Sequence, residues 1–232
     1  MNGSGGMVAM AAIVVAIAVL VTVLKVRADR ARRAAYTAYA SRHGLTYQER
    51  GADELFARLR EDRPFGRGHS RSADDVLSGQ WRGRSAVGFT YTYKVTTSNG
   101  KSSSTRVYHW QVAAIRLPCA LPELEVRDEG IGGRIANALG FDDIEVESDA
   151  FNRRFRLTST NARFGSAFVH PQVMQLMLAR QQGIVRLDRD LLVQLVDSRP
   201  EPADLAASWD YLSDLADLVP AFVLADYGRR AG

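Results

Sequence analysis

The sequence predicts an α+β protein in which an N-terminal transmembrane helix precedes a mainly antiparallel β-sheet domain with packed helices and a C-terminal helix. Three features lead to this fold class: an uncharged apolar run at 7–24, strict apolar–polar alternation at 85–95, and apolar residues at helical spacing near the C-terminus. These features divide the chain into a transmembrane anchor with a basic juxtamembrane helix at 1–42, whose span covers about 7–26, and a domain at 43–232.

The apolar run contains eighteen residues from Met7 to Leu24, without a charge or a proline. At about 1.5 Å per residue it forms a helix of roughly 27 Å, close to the thickness of the hydrocarbon core of a bilayer. A buried helix of a soluble domain has a polar face, and this run is apolar on all sides. A cleaved signal peptide carries its positive charge before the apolar run, whereas here Lys25 follows it. The pattern therefore predicts an uncleaved anchor.

A basic cluster follows the anchor and indicates how it is oriented. Its members are Lys25, Arg27, Arg30, Arg32 and Arg33. Because Lys and Arg flanks favour the cytoplasm, we expect a single-pass protein of the cell membrane with its N-terminus outside and its domain in the cytoplasm. The same cluster is expected to attract anionic lipid head groups, so the lipid bilayer is the first predicted partner. Ala12 and Ala16 form a small-xxx-small pair that favours self-association of the anchor slightly.

The basic cluster also explains the sequence pI of about 9.4. Segment 25–42 holds six basic residues and one acidic residue, and removing it from the 30 basic and 26 acidic residues of the chain leaves 24 and 25. The domain is therefore nearly neutral, and we expect no nucleic-acid surface on it.

The clearest β signal is a hairpin around the Asn-Gly dipeptide at 99–100, which favours a two-residue type I′ turn. With that loop, Tyr91 lies opposite Tyr108 and Phe89 lies opposite Trp110, so that aromatic residues pair along one face. The Ser- and Thr-rich flanks leave a longer loop open as an alternative.

A second hairpin is predicted directly before the first. The chain folds back through Gly83, and a three-residue loop places Trp81 opposite Val87 and Leu77 opposite Tyr91. Three antiparallel strands are therefore expected between about 74 and 117.

The remaining elements follow from local patterns. In chain order they are a helix ending at Gly44, a strand at 45–50, a short helix at 52–60, a loop at 63–75, a connector at 117–126 whose two prolines suit a sheet edge, a helix at 133–140, a strand at 144–147, helices at 161–168 and 171–182, and a hairpin of 183–187 and 191–196 around Asp188 and Arg189.

A C-terminal helix closes the domain, and Pro220 is expected to kink or divide it. One face of this helix carries Leu205, Trp209, Leu212, Ala216, Val219 and Val223. The apolar stretch 215–225 is too short to span a membrane, so it either completes the core, which we favour, or lies on the bilayer surface.

Patterns of catalytic residues are absent from the sequence. Cys119 is the single cysteine, so a disulfide within the chain and a multi-cysteine metal site are both excluded, and we expect a small packed residue there. The four histidines lack metal-ligand spacing, and no phosphate-binding or dinucleotide-binding pattern occurs, so no cofactor is expected. Whether the chain is an enzyme stays open.

Two weaker patterns leave alternative functions open. Asp143, Glu145 and Glu147 lie in an acidic run at 142–149 that would line one face of a strand and hold a divalent cation, although a solvated strand edge is the commoner outcome. An arginine-rich stretch at 58–84 would bring Arg63, Arg67 and Arg71 to lipid phosphates.

Several segments together resemble a group of uncharacterised bacterial membrane-anchored proteins of actinobacterial type, which share a domain of unknown function. The segments that carry the resemblance are the anchor with its basic flank, the G-x-W-R-G-R pattern at 79–84, the Leu-Pro connector at 117–122 and the stretch 151–178. The resemblance covers most of the chain after Arg42 and implies no activity or catalytic residues.

The sequence as a whole favours a membrane-tethered binding or scaffolding module that faces the cytoplasm and has another protein as its second partner. The alternatives are a small metal-dependent hydrolase that uses the acidic run 142–149, and a sensor of anionic lipid.

Overall fold

The computed structural model describes residues 3–51, 57, 68–100, 102–128 and 142–229. These residues form six helices and seven strands. The helices are α1 (Gly3–His43), α2 (Asp149–Arg154), α3 (Ala162–Phe168), α4 (Pro171–Arg180), α5 (Pro202–Asp217) and α6 (Ala221–Tyr227). The strands are β1 (Thr46–Arg50), β2 (His69–Trp81), β3 (Arg84–Ser98), β4 (Ser103–Asp128), β5 (Asp142–Ile144), β6 (Phe155–Ser159) and β7 (Ile184–Val196).

The seven strands form one antiparallel sheet in the order β1-β2-β3-β4-β6-β5, and β7 also pairs with β4. The 26-residue strand β4 is the centre of this sheet. It pairs with β3 as far as Ile115, with β6 from Leu124 to Asp128, and with β7 from Gln111 to Arg127. The α+β fold with a mainly antiparallel sheet is therefore confirmed.

Helix α1 ends at Gly44, as the sequence predicts. Gly44 has a φ of +65°, and the amide of Leu45 donates to the carbonyl oxygen of Ala40 over 2.9 Å. This six-residue bond is that of a Schellman cap, in which a glycine reverses the chain at no steric cost. The chain then returns along α1 as β1, which pairs with β2.

The turn between β2 and β3 is one residue shorter than predicted. Arg82 and Gly83 both have positive φ angles, +47° and +77°, so the loop has two residues of type I′ form. Trp81 therefore pairs with Arg84, and Leu77 pairs with Gly88. The prediction turned the chain back through Gly83, and in the structure Arg82 and Gly83 form the turn together.

The turn between β3 and β4 is longer than the favoured prediction and agrees with the alternative. Ser98 pairs with Ser103, and the amide of Ser102 donates to Asn99 Oδ1 over 2.9 Å. The register is thus displaced by two residues, and Tyr91 lies opposite Trp110. A shift of two residues keeps each side chain on its predicted face of the sheet.

Two predictions about chain breaks are wrong. The proline-containing segment 117–126 is part of β4, and the pairing of β4 with β7 shifts register on both sides of Leu121. Bulges of this kind accommodate prolines in a strand, because the missing N–H is not needed for the ladder. Likewise 183–196 is one strand, and Arg189, at a φ of +53°, forms a bulge where a hairpin turn was predicted.

The other local predictions vary in outcome. Helix α3, which Asn161 caps, and helix α4, which begins at Pro171, lie where the sequence predicts them, and Pro220 divides the C-terminal helix into α5 and α6. The predicted strand at 144–147 is instead the short β5, and the predicted loop at 63–75 becomes strand from His69 onwards. The predicted helices at 52–60 and 133–140 lie largely or wholly outside the described residues.

Helix α5 packs on the sheet at a point where β3 lacks a side chain. Leu205, Trp209 and Leu212 are fully buried, and Trp209 Nε1 donates to the carbonyl oxygen of Val87 over 3.1 Å. A Cβ atom at Gly88 would lie 2.9 Å from Leu205 Cδ2 and 3.1 Å from Trp209 Cζ2. The close approach of α5 to the sheet therefore depends on the glycine at this position.

Replacing Gly88 with valine is expected to lower the free energy of unfolding by about 1–3 kcal/mol, because the added carbons overfill the contact with α5. Thermal unfolding of the full chain in detergent, followed by tryptophan fluorescence, measures the effect. Ser85→Val is the matched control, since Ser85 is exposed in the same strand, and its effect should stay within about 0.5 kcal/mol. Equal stabilities of the two variants would contradict this account of the α5 contact.

Candidate functional site: the junction of the anchor and the domain

Helix α1 has an exposed apolar half and a half that packs on the domain. Its large apolar side chains between Met10 and Val26 are 42–65% exposed, and its most apolar 18-residue window has a mean hydropathy of 2.3. By length and composition α1 can cross a membrane. Further along the same helix, Tyr36 is fully buried and Ala40 is 4% exposed. The change from the exposed half of α1 to the half that packs on the domain lies near Arg32.

The Arg32 guanidinium holds the helix to two parts of the domain, strand β2 and the segment just before α5. Its Nε donates to Asp75 Oδ2 over 2.6 Å, and its Nη1 lies 3.1 Å from Glu201 Oε1. Its Nη2 donates to the carbonyl oxygen of Pro200 over 2.6 Å. The Arg32 side chain is only 11% exposed, so these charge-assisted bonds are partly shielded from water. We call Arg32 and its partners Asp75, Tyr36, Tyr47, Pro200 and Glu201 the anchor clasp.

Asp75, which accepts the hydrogen bond from Arg32 Nε, has an unusual backbone conformation for a strand residue. It lies in β2 with a φ of +55°, at a register shift between Asp74 and Leu77, and it is 8% exposed. Its second carboxylate oxygen accepts a hydrogen bond from Tyr47 Oη over 3.1 Å. The bulge turns the carboxylate towards α1, and both of its oxygens are bound there.

Two tyrosines complete the clasp. Tyr36 Oη donates to the carbonyl oxygen of Pro200 over 2.8 Å, and the rings of Tyr36 and Tyr47 lie 5.6 Å apart. Burial, then the charge of Asp75, raises the pKa of Tyr47 to about 12, so its hydroxyl stays a donor at neutral pH. Burial by itself lowers the pKa of Arg32, but the hydrogen bond to Asp75 and the charges of Tyr36, Asp75 and Glu201 together outweigh it, so the pKa of Arg32 is raised.

The last turn of α1 is held by aromatic contacts. The rings of Tyr39 and His43 stack at 4.2 Å, and His43 lies 5.8 Å from Trp81. Trp81 Nε1 in turn donates to Asp210 Oδ1 of α5 over 2.8 Å. Helix, sheet and α5 are thus joined in one contact chain. This arrangement fixes the direction of the anchor relative to the domain.

The predicted membrane flank divides into two groups. Lys25, Arg27 and Arg30 are exposed on α1, where they are accessible to lipid head groups. Arg32 belongs to the clasp, and Arg33 Nη1 lies 3.0 Å from Glu49 Oε1 of β1. The domain boundary at residue 42 stays a prediction, although α1 contacts the domain from Arg32 onwards.

The acidic run 142–149 stays a prediction as a metal site. The side chain of Asp143 is outside the described part of the structure, and Glu145 and Glu147 are exposed. Ile144 and Val146, which alternate with these acidic residues, are partly buried and pack on the core. Within the described residues, no group of three or more His, Cys, Asp or Glu side chains is placed to hold a metal ion.

The other candidate residues lie apart from the clasp. Arg63 and Arg67 are outside the described residues, and Arg71 Nη2 donates to the carbonyl oxygen of Gly68 over 3.3 Å. Cys119 is half-buried in the bulged part of β4, and burial raises the pKa of its thiol, which disfavours a nucleophilic thiolate. Burial, then the charge of Arg199, lowers the pKa of His109, which favours the neutral ring.

Sequence reasoning missed the clasp, although part of its signal was present. Arg32, Tyr36 and Ala40 recur every four residues, which places them on one face of α1. That spacing within an Arg- and Ala-rich helix indicates a packed face. No local pattern marks Asp75, because its role depends on a positive φ in the middle of a strand.

Asp75→Asn is expected to lower the free energy of unfolding by about 2–4 kcal/mol, because it removes the shielded charge partner of Arg32. Asparagine tolerates a positive φ, so the backbone should be unaffected. Glu201→Gln is the matched control, because its carboxylate is 64% exposed and contacts the same guanidinium. Its loss should cost less than about 1 kcal/mol in unfolding measurements on the full chain in nanodiscs. An equal cost for both variants would show that Asp75 has no special part in the clasp.

No protein-family model and no curated protein matches the sequence. Among solved structures, the fold is similar to that described as the crystal structure of the mycobacterial trehalose monomycolate transport factor A, TtfA. The TM-score is 0.60, and the match covers 85% of this chain and 96% of that chain. The two sequences are 12% identical, so the similarity concerns the fold. The chain has the α+β fold of TtfA.

Proposed function

We propose that this protein is a single-pass membrane-tethered module that faces the cytoplasm and binds or scaffolds a protein partner. The observation that carries the proposal is the anchor clasp, which joins an exposed apolar helix to a folded domain without a linker. A flexible linker would suffice to hold an enzyme near a membrane. A rigid junction restricts where each surface of the domain can lie, as a scaffold requires.

The membrane tether is supported by the two halves of α1. The apolar side chains before Lys25 are exposed, and such a surface is stable only against lipid or another apolar surface. Lys25, Arg27 and Arg30 follow on the exposed part of the helix, where cytoplasmic anionic lipid stabilises them.

A binding role is supported by the nearly neutral charge of the domain and by the similar fold. TtfA is described as a trehalose monomycolate transport factor. We therefore propose that this chain is an accessory component of a membrane assembly that moves lipid-linked material. Its partner would be a protein of that assembly in the same membrane.

Fusion of reporters to the C-terminus tests the orientation. A fluorescent protein that matures in the cytoplasm should be bright at this position, and alkaline phosphatase should be inactive, because the Lys and Arg flank retains the domain inside. Reversing the charges of Lys25, Arg27 and Arg30 should weaken this bias, since these three cations are free of the clasp. Strong phosphatase activity with a dark fluorescent fusion would overturn the proposed orientation.

Site-specific crosslinking tests the scaffolding role. Phe222 in α6 is 55% exposed and, with Val107, is one of the large apolar side chains that the described residues expose outside the anchor. A photoreactive phenylalanine analogue at Phe222 should give a discrete crosslinked species in native membranes, because exposed aromatic residues are enriched at binding surfaces. The matched control is the same analogue at Ala207, which is exposed in α5. Identical patterns at both positions, or no product at either, would contradict a partner at this face.

A further inference from the structure

The structure points to a second contact with the membrane, made by the β3–β4 ribbon, which we define as residues 94–98 and 102–107. We propose that this ribbon lies on the cytoplasmic leaflet and binds anionic lipid head groups. The proposal rests on the membrane tether of the proposed function and adds a surface of the domain to it.

The direction of α1 relative to the strands is set by contacts at three levels. Leu45 follows the end of α1 and lies against Gly79 of β2, while the rings of Tyr36 and Tyr47 meet one level further on. Arg33 and Glu49 then form an ion pair. The helical segment from Arg33 to His43 covers about 15 Å at the usual rise of a helix. The segment from Leu45 to Glu49 covers nearly the same distance, about 13 Å, at the usual rise of a strand. Helix α1 and the first strands therefore run side by side.

The ribbon extends from the clasp in the direction in which α1 leaves the domain. Arg32 lies against β3 at Thr90, where its Nη2 is 3.4 Å from Thr90 Oγ1. From Thr90 the strand continues to Ser98, roughly 26 Å, whereas α1 needs only about 10 Å from Arg32 to Lys25 at the membrane boundary. Because the strand is more than twice as long as this part of α1, the end of the ribbon reaches the level of the head groups even if the axes of α1 and β3 make a large angle.

The ribbon stands out from the core. Burial ends at the pair formed by Tyr93, which is 5% exposed, and Tyr108, whose rings stack at 5.0 Å. Beyond this pair the described side chains are exposed apart from the partly buried Val95, and Val107 is 43% exposed. Lys94 lies opposite Val107, and Arg106 lies opposite Val95, so both faces combine a cation with an apolar residue.

The charge of this part of the chain favours an anionic surface. Between Asp75 and Glu123 the sequence contains no acidic residue over 47 positions, whereas Lys94 and Arg106 lie in the ribbon itself. The described residues of the ribbon therefore include two cations and no acidic side chain. Each basic residue close to an anionic leaflet strengthens membrane binding.

The ribbon is suited to the head-group layer and unsuited to the hydrocarbon core. Its tip is rich in Ser and Thr, and the transfer of these hydroxyl groups from water into hydrocarbon is costly. The ribbon and the anchor therefore form two points of support on one leaflet, and α1 crosses the bilayer with a tilt that allows both.

Fluorescence quenching in vesicles tests the contact on the full chain. In a Cys119→Ser background, a fluorophore is attached at Ser98→Cys or at Ser85→Cys, two exposed serines at opposite ends of β3. Vesicles of 70% phosphatidylcholine and 30% phosphatidylglycerol carry a nitroxide quencher on a trace lipid head group. We expect quenching at position 98 to exceed that at position 85 by about threefold or more, and to fall with added salt.

A charge-reversal pair shows whether the cations cause the contact. Lys94→Glu with Arg106→Glu should reduce the quenching at position 98 to the level at position 85. Arg153→Glu with Arg163→Glu makes the same change in net charge on exposed residues near the far end of β4, and should leave the quenching unchanged.

Flotation of the same samples separates the two proposals. A chain that floats with the vesicles but shows equal quenching at positions 98 and 85 retains the tether and overturns the ribbon contact. Preferential quenching at position 98 that is the same in pure phosphatidylcholine shows proximity alone and overturns the recognition of anionic lipid. A chain that does not float overturns the tether, and the ribbon contact with it.

Discussion

The ion pair between Arg32 and Asp75 is the constraint on which the rest of the structure depends. It joins α1, whose N-terminal half is apolar and suited to lipid, to strand β2 of the folded domain. Each partner is mostly buried, and each side chain has further hydrogen bonds that satisfy its remaining atoms. A buried charge pair costs desolvation and gains little net stability, but removal of one partner is costly. Such a pair therefore specifies one arrangement of helix and domain more than it stabilises that arrangement. The positive φ of Asp75 belongs to the bulge in β2 that turns its carboxylate towards α1.

Strand β4 connects the region around the clasp to the rest of the domain. It pairs with β3 near the clasp and with β6 at its other end, while β7 follows it along both parts. The bulges around Leu121 bend the ladder between the two parts, and Pro118 and Pro122 lie in that stretch. Helix α5 packs against β3 at Gly88, and its Ser208 Oγ accepts a hydrogen bond from Gln111 Nε2 of β4. Helix α5 therefore holds the first part of the sheet under α1. The direction of the anchor is thus set by a packed core and by the clasp together.

Patterns within one element were predictable from the sequence, and features that depend on distant residues were not. The glycine at position 44, the alternation in β3 and the proline at position 220 each act locally, and the structure confirms them. The predicted length of the β2–β3 turn was wrong because Arg82 takes a left-handed conformation together with Gly83. The length of the β3–β4 turn stayed ambiguous because Ser and Thr residues flank the Asn-Gly dipeptide. The single strand β7 was interpreted as a hairpin because a bulge and a turn use the same residue types. Asp75 could not be identified, since its function exists only when α1 lies over the bulge in β2.

The same reasoning explains why the net charge of the domain was a poor guide to its surface. Counting Lys, Arg, Asp and Glu outside 25–42 gives a balance close to zero, which correctly removes the argument for a nucleic-acid surface. It also hides a separation of charge along the chain, because the 47 positions between Asp75 and Glu123 contain bases and no acids. A membrane responds to the potential within a Debye length of its surface, about 8 Å at physiological ionic strength, and not to the sum over the protein. A rigid junction gives this separation a fixed direction: while the clasp holds, the ribbon that continues from Thr90 beside the anchor carries Lys94 and Arg106 and no acidic residue.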